Sequence, residues 1–258
     1  MLRHLALEGV ENFRDYGDYP TTAGRRLKRG QLYRSAAHGR ATEADLRTIA
    51  GLNLTVIVDL RRKGERLRDP PRRPAEFSGL VIDNDLGDEG EDSWHAHIRT
   101  SDLTEASFRN YLVDYYRAAP FKERHVDLFS RYFQALAAAE GPVLIHCAAG
   151  KDRTGILAAL THHLAGVHPD DITADYLLTN NPERVAMRLP IVAQAVEEIA
   201  GRVPTEAALK TAMGVEAIYL DTAFNAIKGR HGGTDAYLEQ ALGVDARTRA
   251  NLEARLFE

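Results

Sequence analysis

Ten consecutive residues, His146 to Gly155 (His-Cys-Ala-Ala-Gly-Lys-Asp-Arg-Thr-Gly), gather the groups best able to do chemistry in this chain and include its single cysteine. A thiolate is a strong nucleophile. Three neighbours favour thiolate over thiol at Cys147: a nest of loop N–H groups, a helix N-terminus, and the cations Lys151 and Arg153. Arg153 adds a planar fork of donors matched to phosphate oxygens. The loop made by Ala148, Ala149, Gly150, Lys151, Thr154 and Gly155 can curl its backbone around the same anion. The Thr154 hydroxyl can support the sulfur when it later leaves. A thiolate aimed at a caged phosphorus is a nucleophile for phosphoryl transfer. A cysteine kept only as a small buried hydrophobe makes a poor core neighbour for the lysine, aspartate and arginine that follow it. His146 fits two compatible roles: orienting the loop and tuning the thiolate, or packing as a satisfied core histidine.

Such a loop needs a strand before it and a helix after it. Pro142-Val143-Leu144-Ile145 reads as a buried strand, and Ile156 to Leu164, closing near Gly166, reads as a helix. His162 and His163 on that helix are packing or surface residues, since no carboxylate or cysteine stands at ligand spacing from them. The clearest strand, Leu54 to Leu60, is apolar enough to be a central parallel strand covered on both faces. It ends in Asp59, Leu60 and Arg61, with Glu65 beyond. Ligands of open α/β sheets sit outside the carboxyl ends of strands, so this end and Cys147 should converge. Arg61 is then a candidate substrate contact and Glu65 a candidate partner for an arginine. A surface Arg–Glu pair on a short helix fits the same spacing.

The remaining elements follow from local signals. Asn12 to Gly17, which holds Arg14 and Asp15, predicts an edge strand running into a turn. Arg26-Leu27-Lys28 and Gln31 to Ser35 predict two short strands. Thr42 with Asp45 predicts an N-cap for a helix over 43–50 closed by Gly51. Leu80-Val81-Ile82 predicts a strand, followed by an exposed, mobile acidic run over 83–92 without calcium-loop spacing. From Ser93 to about Ala119 the pattern is helical, with Phe108, Tyr111, Leu112, Tyr115 and Tyr116 on one side. Pro120 ends it. Residues 122–139 predict an amphipathic helix with Val126, Phe129, Phe133 and Leu136 inward. Past the loop the chain is helical, with one start at Pro169 and breaks at Asn180-Asn181-Pro182, Gly201, Pro204, Gly214, Gly232-Gly233 and Gly243.

Composition narrows the class. A chain of 258 residues with no internal repeat or low-complexity linker reads as one domain spanning 1–258. The expected fold is α/β, a small, mainly parallel sheet flanked by helices, with a helical C-terminal half. A formal net charge of −4 argues against a nucleic-acid partner. No stretch has the length of a membrane span, and the N-terminus lacks the pattern of a signal peptide. One cysteine excludes a disulfide within the chain. Cytoplasmic residence is the default, with export by a route the sequence does not reveal left open. No metal and no cofactor are expected.

The spacing of Cys147 and Arg153 resembles the signature of the cysteine-dependent phosphatases. The full ten-residue string, with Lys151 and Asp152 before the arginine, resembles a narrower branch, the atypical bacterial protein tyrosine phosphatases. Asn-Phe-Arg-Asp at 12–15, Tyr-Arg-Ser at 33–35 and Asp-Leu-Arg at 59–61 are similar to further motifs of that branch. The resemblance implies hydrolysis of phosphotyrosine, extending to phosphoserine, phosphothreonine and phosphoinositides. It implies that Arg14 and Asp15 buttress the active-site floor, where the residues alone fit a surface hairpin equally well. It implies a helical lid near 93–119. It also places the general acid at Asp152, within the loop; Asp83 and Asp85, at a strand end, are the competing acids. Two rivals from other classes are a silent phosphate-binding module and a redox or sulfur-transfer enzyme.

Overall fold

Five short strands stand side by side in the order β1-β2-β5-β3-β4. They are β1 (Arg14–Asp15), β2 (Leu32–Ser35), β3 (Val56–Asp59), β4 (Leu80–Ile82) and β5 (Val143–His146). Only β1 runs antiparallel to its neighbour; the other pairs are parallel. The computed structural model describes residues 3–87 and 92–257. Of the acidic run expected to be exposed and mobile, residues 88–91 lie outside the described residues, and Asp85, Leu86 and Gly87 are exposed.

Alternation along the strands explains the layering. Leu32, Val56, Val58, Val143 and Ile145 enter one apolar cluster, whereas Tyr33, Ile57 and Leu144 enter another on the opposite face. Both faces are therefore covered, as a parallel sheet requires. The smaller cluster is closed by α1 (Glu43–Ala50) through Leu46 and Ile49. Its capping box is complete: Thr42 Oγ1 accepts from Asp45 N at 3.2 Å, and Asp45 Oδ2 accepts from Thr42 N at 3.0 Å. Between β3 and β4 lies α2 (Lys63–Arg68); after β4 come α3 (Ser93–Thr100) and α4 (Glu105–Ala118). The larger cluster takes in α5 (Glu123–Ala138) and α6 (Asp152–Leu164). It also takes in α7 (Pro169–Leu177), α10 (Ala217–His231), α11 (Thr234–Gln240) and α12 (Ala246–Leu256). A third apolar cluster joins α3 and α4 to α8 (Pro182–Ala200) and α9 (Glu206–Met213), through Ile98, Leu103 and Phe108 against Val196, Leu209 and Ala212.

β3 is the interior, buried parallel strand expected, with β5 beside it in the middle place. Other expectations shift. Arg26 and Leu27 form only isolated bridges, because Lys28 N donates to the Leu256 carbonyl and not to the sheet. On α5, Val126 is half-buried, and Leu128 and Tyr132 are fully inside. On the aromatic side of α4, Phe108 meets α8 and α9, whereas Leu112 and Tyr116 join the main core, Tyr116 against Tyr176 of α7 and Tyr219 of α10, partners that periodicity cannot reveal.

At one edge, charge is buried. Arg14 and Arg34 are both 0 % exposed, and between them lies Asp175 of α7, 1 % exposed. Arg34 Nη1 reaches Asp175 Oδ2 at 2.8 Å and Arg14 Nε reaches Oδ1 at 3.4 Å. Burial pushes the Asp175 carboxyl up, but the two guanidiniums outweigh it and hold it well below the usual carboxylate range. Removing one partner of a buried ion cluster strands the others in low dielectric. Asp175→Ala should therefore lower unfolding free energy by about 3–5 kcal/mol in urea titrations at neutral pH. A loss below about 1 kcal/mol would mean that water reaches the arginines.

Candidate active site

The parallel register sets Ser35, His146 and Asp59 side by side at the carboxyl ends of β2, β5 and β3. Cys147 follows directly and is 2 % exposed. The loop then turns through Gly150 at φ +65°; a Cβ there would lie 2.5 Å from the Ser35 carbonyl, so only glycine fits. A Cβ on Gly155 would meet the Tyr176 ring at 2.8 Å, which seats the first turn of α6 against α7.

The carbonyls of Ala148, Ala149 and Gly150 are engaged from outside. Ala148 O accepts from Ala37 N at 3.1 Å. Gly150 O accepts from Asn12 Nδ2 at 2.8 Å and Arg34 Nη2 at 3.1 Å. Ala149 O accepts from Arg184 Nη2 at 3.4 Å. A trans peptide points its N–H away from its C=O, so outward carbonyls turn the loop's N–H groups inward. With the N-terminus of α6 this makes an anion cradle. Above it is a cavity of about 470 Å³, floored by Cys147, Ala148, Ala149, Lys151, Asp152 and Arg153. Its walls carry Trp94, Tyr111, Leu112 and Tyr115, with Val192 and Met213 opposite. Among the described residues, Arg62, Arg68, Lys122, Arg124, Arg184 and Arg188 also line it, against the acids Glu65, Asp92 and Asp152. This described lining is basic in a chain of net charge −4.

Arg153 is aimed by Glu65. Nη1 donates to Glu65 Oε2 at 2.5 Å and to the Leu60 carbonyl at 3.1 Å; Nη2 donates to Oε1 at 2.7 Å. Nε–H and one Nη2–H are left without a protein acceptor among the described residues, and this edge offers two parallel donors to a phosphate. Arg62 N donates to the same carboxylate at 2.7 Å.

Asp152 opens α6 and accepts from the Tyr116 hydroxyl at 2.9 Å. The competing acids are placed elsewhere. Asp85 is exposed and pairs with Arg66 and Lys63, and neither it nor Asp83 lines the cavity. The ammonium of Lys151 is not in the phosphate cradle. It is buried and donates to the carbonyls of Ala212 at 2.6 Å and Gly214 at 3.2 Å, orphan acceptors at the end of α9. Thr154 Oγ1 is buried with no partner among the described atoms.

Further out, Arg61 is not a substrate contact. It is 1 % exposed and grips Asp59, with Nη2 at 2.8 Å from Oδ2. Asp59 in turn lies 3.7 Å from His146 Nε2, whose ring stacks on His38. Burial drives the His146 pKa down. Arg14 reaches the loop through Asn12 and Asp175, whereas Asp15 turns away to accept from Gly17 N and Gly30 N in the hairpin. Residues missed in the sequence include Arg34, Asp175, Asn12, Tyr116 and the Arg184–Arg188 pair held by Glu11. Asn12 and Arg34 stand within the motifs at 12–15 and 33–35, and Tyr116 on the aromatic side of its helix, without these roles; the i,i+4 spacing of Arg184 and Arg188 is a further local signal.

Glu65 supplies a pH test. Burial pushes its carboxyl up, but Arg153 and the Arg62 N–H outweigh it and bring the pKa down to about 2. A depressed carboxyl stabilises the fold above its unfolded pKa and loses that contribution as pH falls through the folded value. The stability difference between wild type and Glu65→Gln should hold constant above about pH 5 and shrink towards pH 2, as read by chemical denaturation. A difference independent of pH would remove charge from the interaction.

Comparison with known proteins shows the family. Residues 5–258 match the sequence profile of the Tyrosine phosphatase family. A Cupriavidus necator protein named as a tyrosine-protein phosphatase is 33 % identical over 244 residues, covering 94 % of this chain and 86 % of the relative. The triple specificity protein phosphatase PtpB of Mycobacterium tuberculosis is 32 % identical over 268 residues, covering 94 % and 95 %. A looser likeness is the solved structure of TpbA from P. aeruginosa, at 18 % identity and a TM-score of 0.32 over 71 % of this chain and 86 % of the other.

Proposed function

The chain belongs to the tyrosine phosphatase family and hydrolyses phosphotyrosine; we propose that Cys147, Arg153 and Asp152 carry the reaction through a cysteinyl-phosphate intermediate. The observation that supports this is their common position on the floor of one basic cavity, around a loop whose Ala148, Ala149 and Gly150 carbonyls are bound from outside. Sγ of Cys147 attacks phosphorus; the S–P bond forms as the P–O ester bond breaks. Asp152 gives its proton to the departing oxygen. Water then attacks phosphorus and passes a proton back to Asp152, and the S–P bond breaks to release thiolate and inorganic phosphate. Loop N–H groups and the outer edge of Arg153 hold the equatorial oxygens as charge develops. This route needs neither a metal nor a cofactor. A silent phosphate-binding module would have no use for a nucleophile and an acid facing one cavity.

The cationic wall supports a broader substrate range. Arg188 and Lys122, which are less buried than Arg184, can bind further phosphates or acidic side chains around the reacting one. The reading therefore extends to phosphoserine, phosphothreonine and phosphoinositides. The lid of this reading is α3 with the first turns of α4, together with α8 and α9; it must part to admit such substrates to a cysteine this buried, while the last turn of α4 stays in the core through Tyr116. No described helix is long and apolar enough to cross a membrane. Cytoplasmic residence belongs to the same reading, because a catalytic thiolate is kept active by reducing conditions.

Two substitutions test it. Arg153→Lys keeps the charge but loses the two-point grip, and should lower kcat/KM on the order of 10²–10³ towards p-nitrophenyl phosphate. Retention of most activity would refute the bidentate role. Asp152→Asn should cost far more on a phosphoserine peptide than on p-nitrophenyl phosphate, whose leaving group departs without a proton. Equal losses on both would take the acid role from Asp152.

A further inference from the structure

Behind Asp152 stands a relay of two hydroxyls that the reaction as described does not use. Tyr176 on α7 donates to the Tyr116 hydroxyl at 2.6 Å, and Tyr116 on α4 donates to Asp152 Oδ1 at 2.9 Å. Tyr116 is 0 % exposed and Tyr176 1 %. The three residues come from three helices and meet only in the folded chain. Direction is fixed by chemistry, since an ionised carboxylate only accepts and each phenol has one hydrogen to give. Burial drives the ionisation of both phenols well upward, so both remain donors throughout the working range.

The contacts on Asp152 are one-sided. Tyr116 binds Oδ1, and the Lys151 ammonium, 3.8 Å away, faces that same oxygen. No hydrogen bond reaches Oδ2 among the described residues, and the residue lines the cavity. We propose that Tyr116 is a positioning residue for the reaction: its hydroxyl fixes Asp152 by Oδ1 and leaves Oδ2 to carry the proton to the leaving group and to take one from water. Tyr176 holds Tyr116 in the donating orientation. This rests on the assignment of Asp152 as the acid. The need for such a hold is physical. A carboxyl at a helix start has freedom about χ1 and χ2, and proton transfer demands a heavy-atom separation of about 2.6–3.2 Å. The tie restricts that freedom from a rigid, buried phenol.

The relay also biases charge. An O–H donor favours the ionised carboxyl, so removing it favours the acid form. Other groups acting on Asp152 are Lys151 in its own loop, Arg184 from α8 and Tyr176 of α7. Tyr111 and Tyr115 of α4 and Tyr219 of α10 face it too. All are retained in a Tyr116→Phe variant, which isolates the hydroxyl.

The test is the pH dependence of kcat/KM for wild type, Tyr116→Phe and Tyr176→Phe, on a phosphoserine peptide and on p-nitrophenyl phosphate. On the peptide, Tyr116→Phe should move the alkaline limb upward, because the hydroxyl that favours the charged carboxylate is gone. Its plateau should fall about tenfold or more on the peptide and much less on p-nitrophenyl phosphate. Tyr176→Phe should shift the limb in the same direction by less. An unmoved limb with equal losses on both substrates would reduce the relay to a core hydrogen bond and overturn the proposal. Should Tyr116→Phe fail to fold, an unmoved limb in Tyr176→Phe overturns it as well. Asp152→Asn separates the two levels. If it abolishes the limb while Tyr116→Phe leaves it in place, the positioning role fails alone. If it keeps full turnover of the peptide, the acid assignment fails first.

Discussion

A carboxylate without access to water, held between two guanidiniums without access to water, is the constraint on which the rest of the site depends. Asp175 cannot leave Arg14 or Arg34 without exposing unpaired charge to a low dielectric. That necessity ties α7 to the edge of the sheet. It also sets where Arg34 can spend its remaining donors, and one of them goes to the Gly150 carbonyl. Asn12, gripped by Arg14, reaches the same carbonyl. The loop is thus held from behind by its oxygens, which turns its N–H groups toward the cavity. Preorganisation of this kind costs nothing when charge develops in the transition state, because the donors are already placed.

The chemistry was legible in the sequence to the extent that it is local. Cys147, Arg153 and the glycines between and after them are contiguous, and the strand–loop–helix context follows from hydrophobic pattern alone. The α1 cap was readable from Thr42 and Asp45 for the same reason. Long-range partners were not. Arg34 and Asp175 are 141 residues apart and carry no periodic signal. Lys151 reads as a phosphate ligand by its position, yet its side chain is long enough to reach the end of α9 instead. Arg61 reads as a ligand by its place at a strand end, yet the neighbouring Asp59 captures its guanidinium. In each case a flexible cation had two acceptors within range, and only packing decides between them.

Electrostatics separates the global from the local. The chain is acidic overall, but the cavity gathers arginines and lysines from α2, α5, α6 and α8. Over a Debye length of roughly 8–10 Å the surrounding acidic surface is screened, while the cavity charges act at contact. Anionic substrate is held at short range, not steered from afar.

The solitary status of Cys147 has a chemical consequence beyond nucleophilicity. A sulfenic acid formed at a thiolate is commonly rescued by condensation with a second thiol to a disulfide. No second cysteine exists among the 258 residues. An oxidised Cys147 can only close on a neighbouring backbone nitrogen as a sulfenamide, accept an external thiol small enough to enter the cavity, or continue to the irreversible sulfinic and sulfonic acids. Recovery from oxidation is therefore governed by the dimensions of the passage to a sulfur that is 2 % exposed, and by the size of the reductant the cell provides.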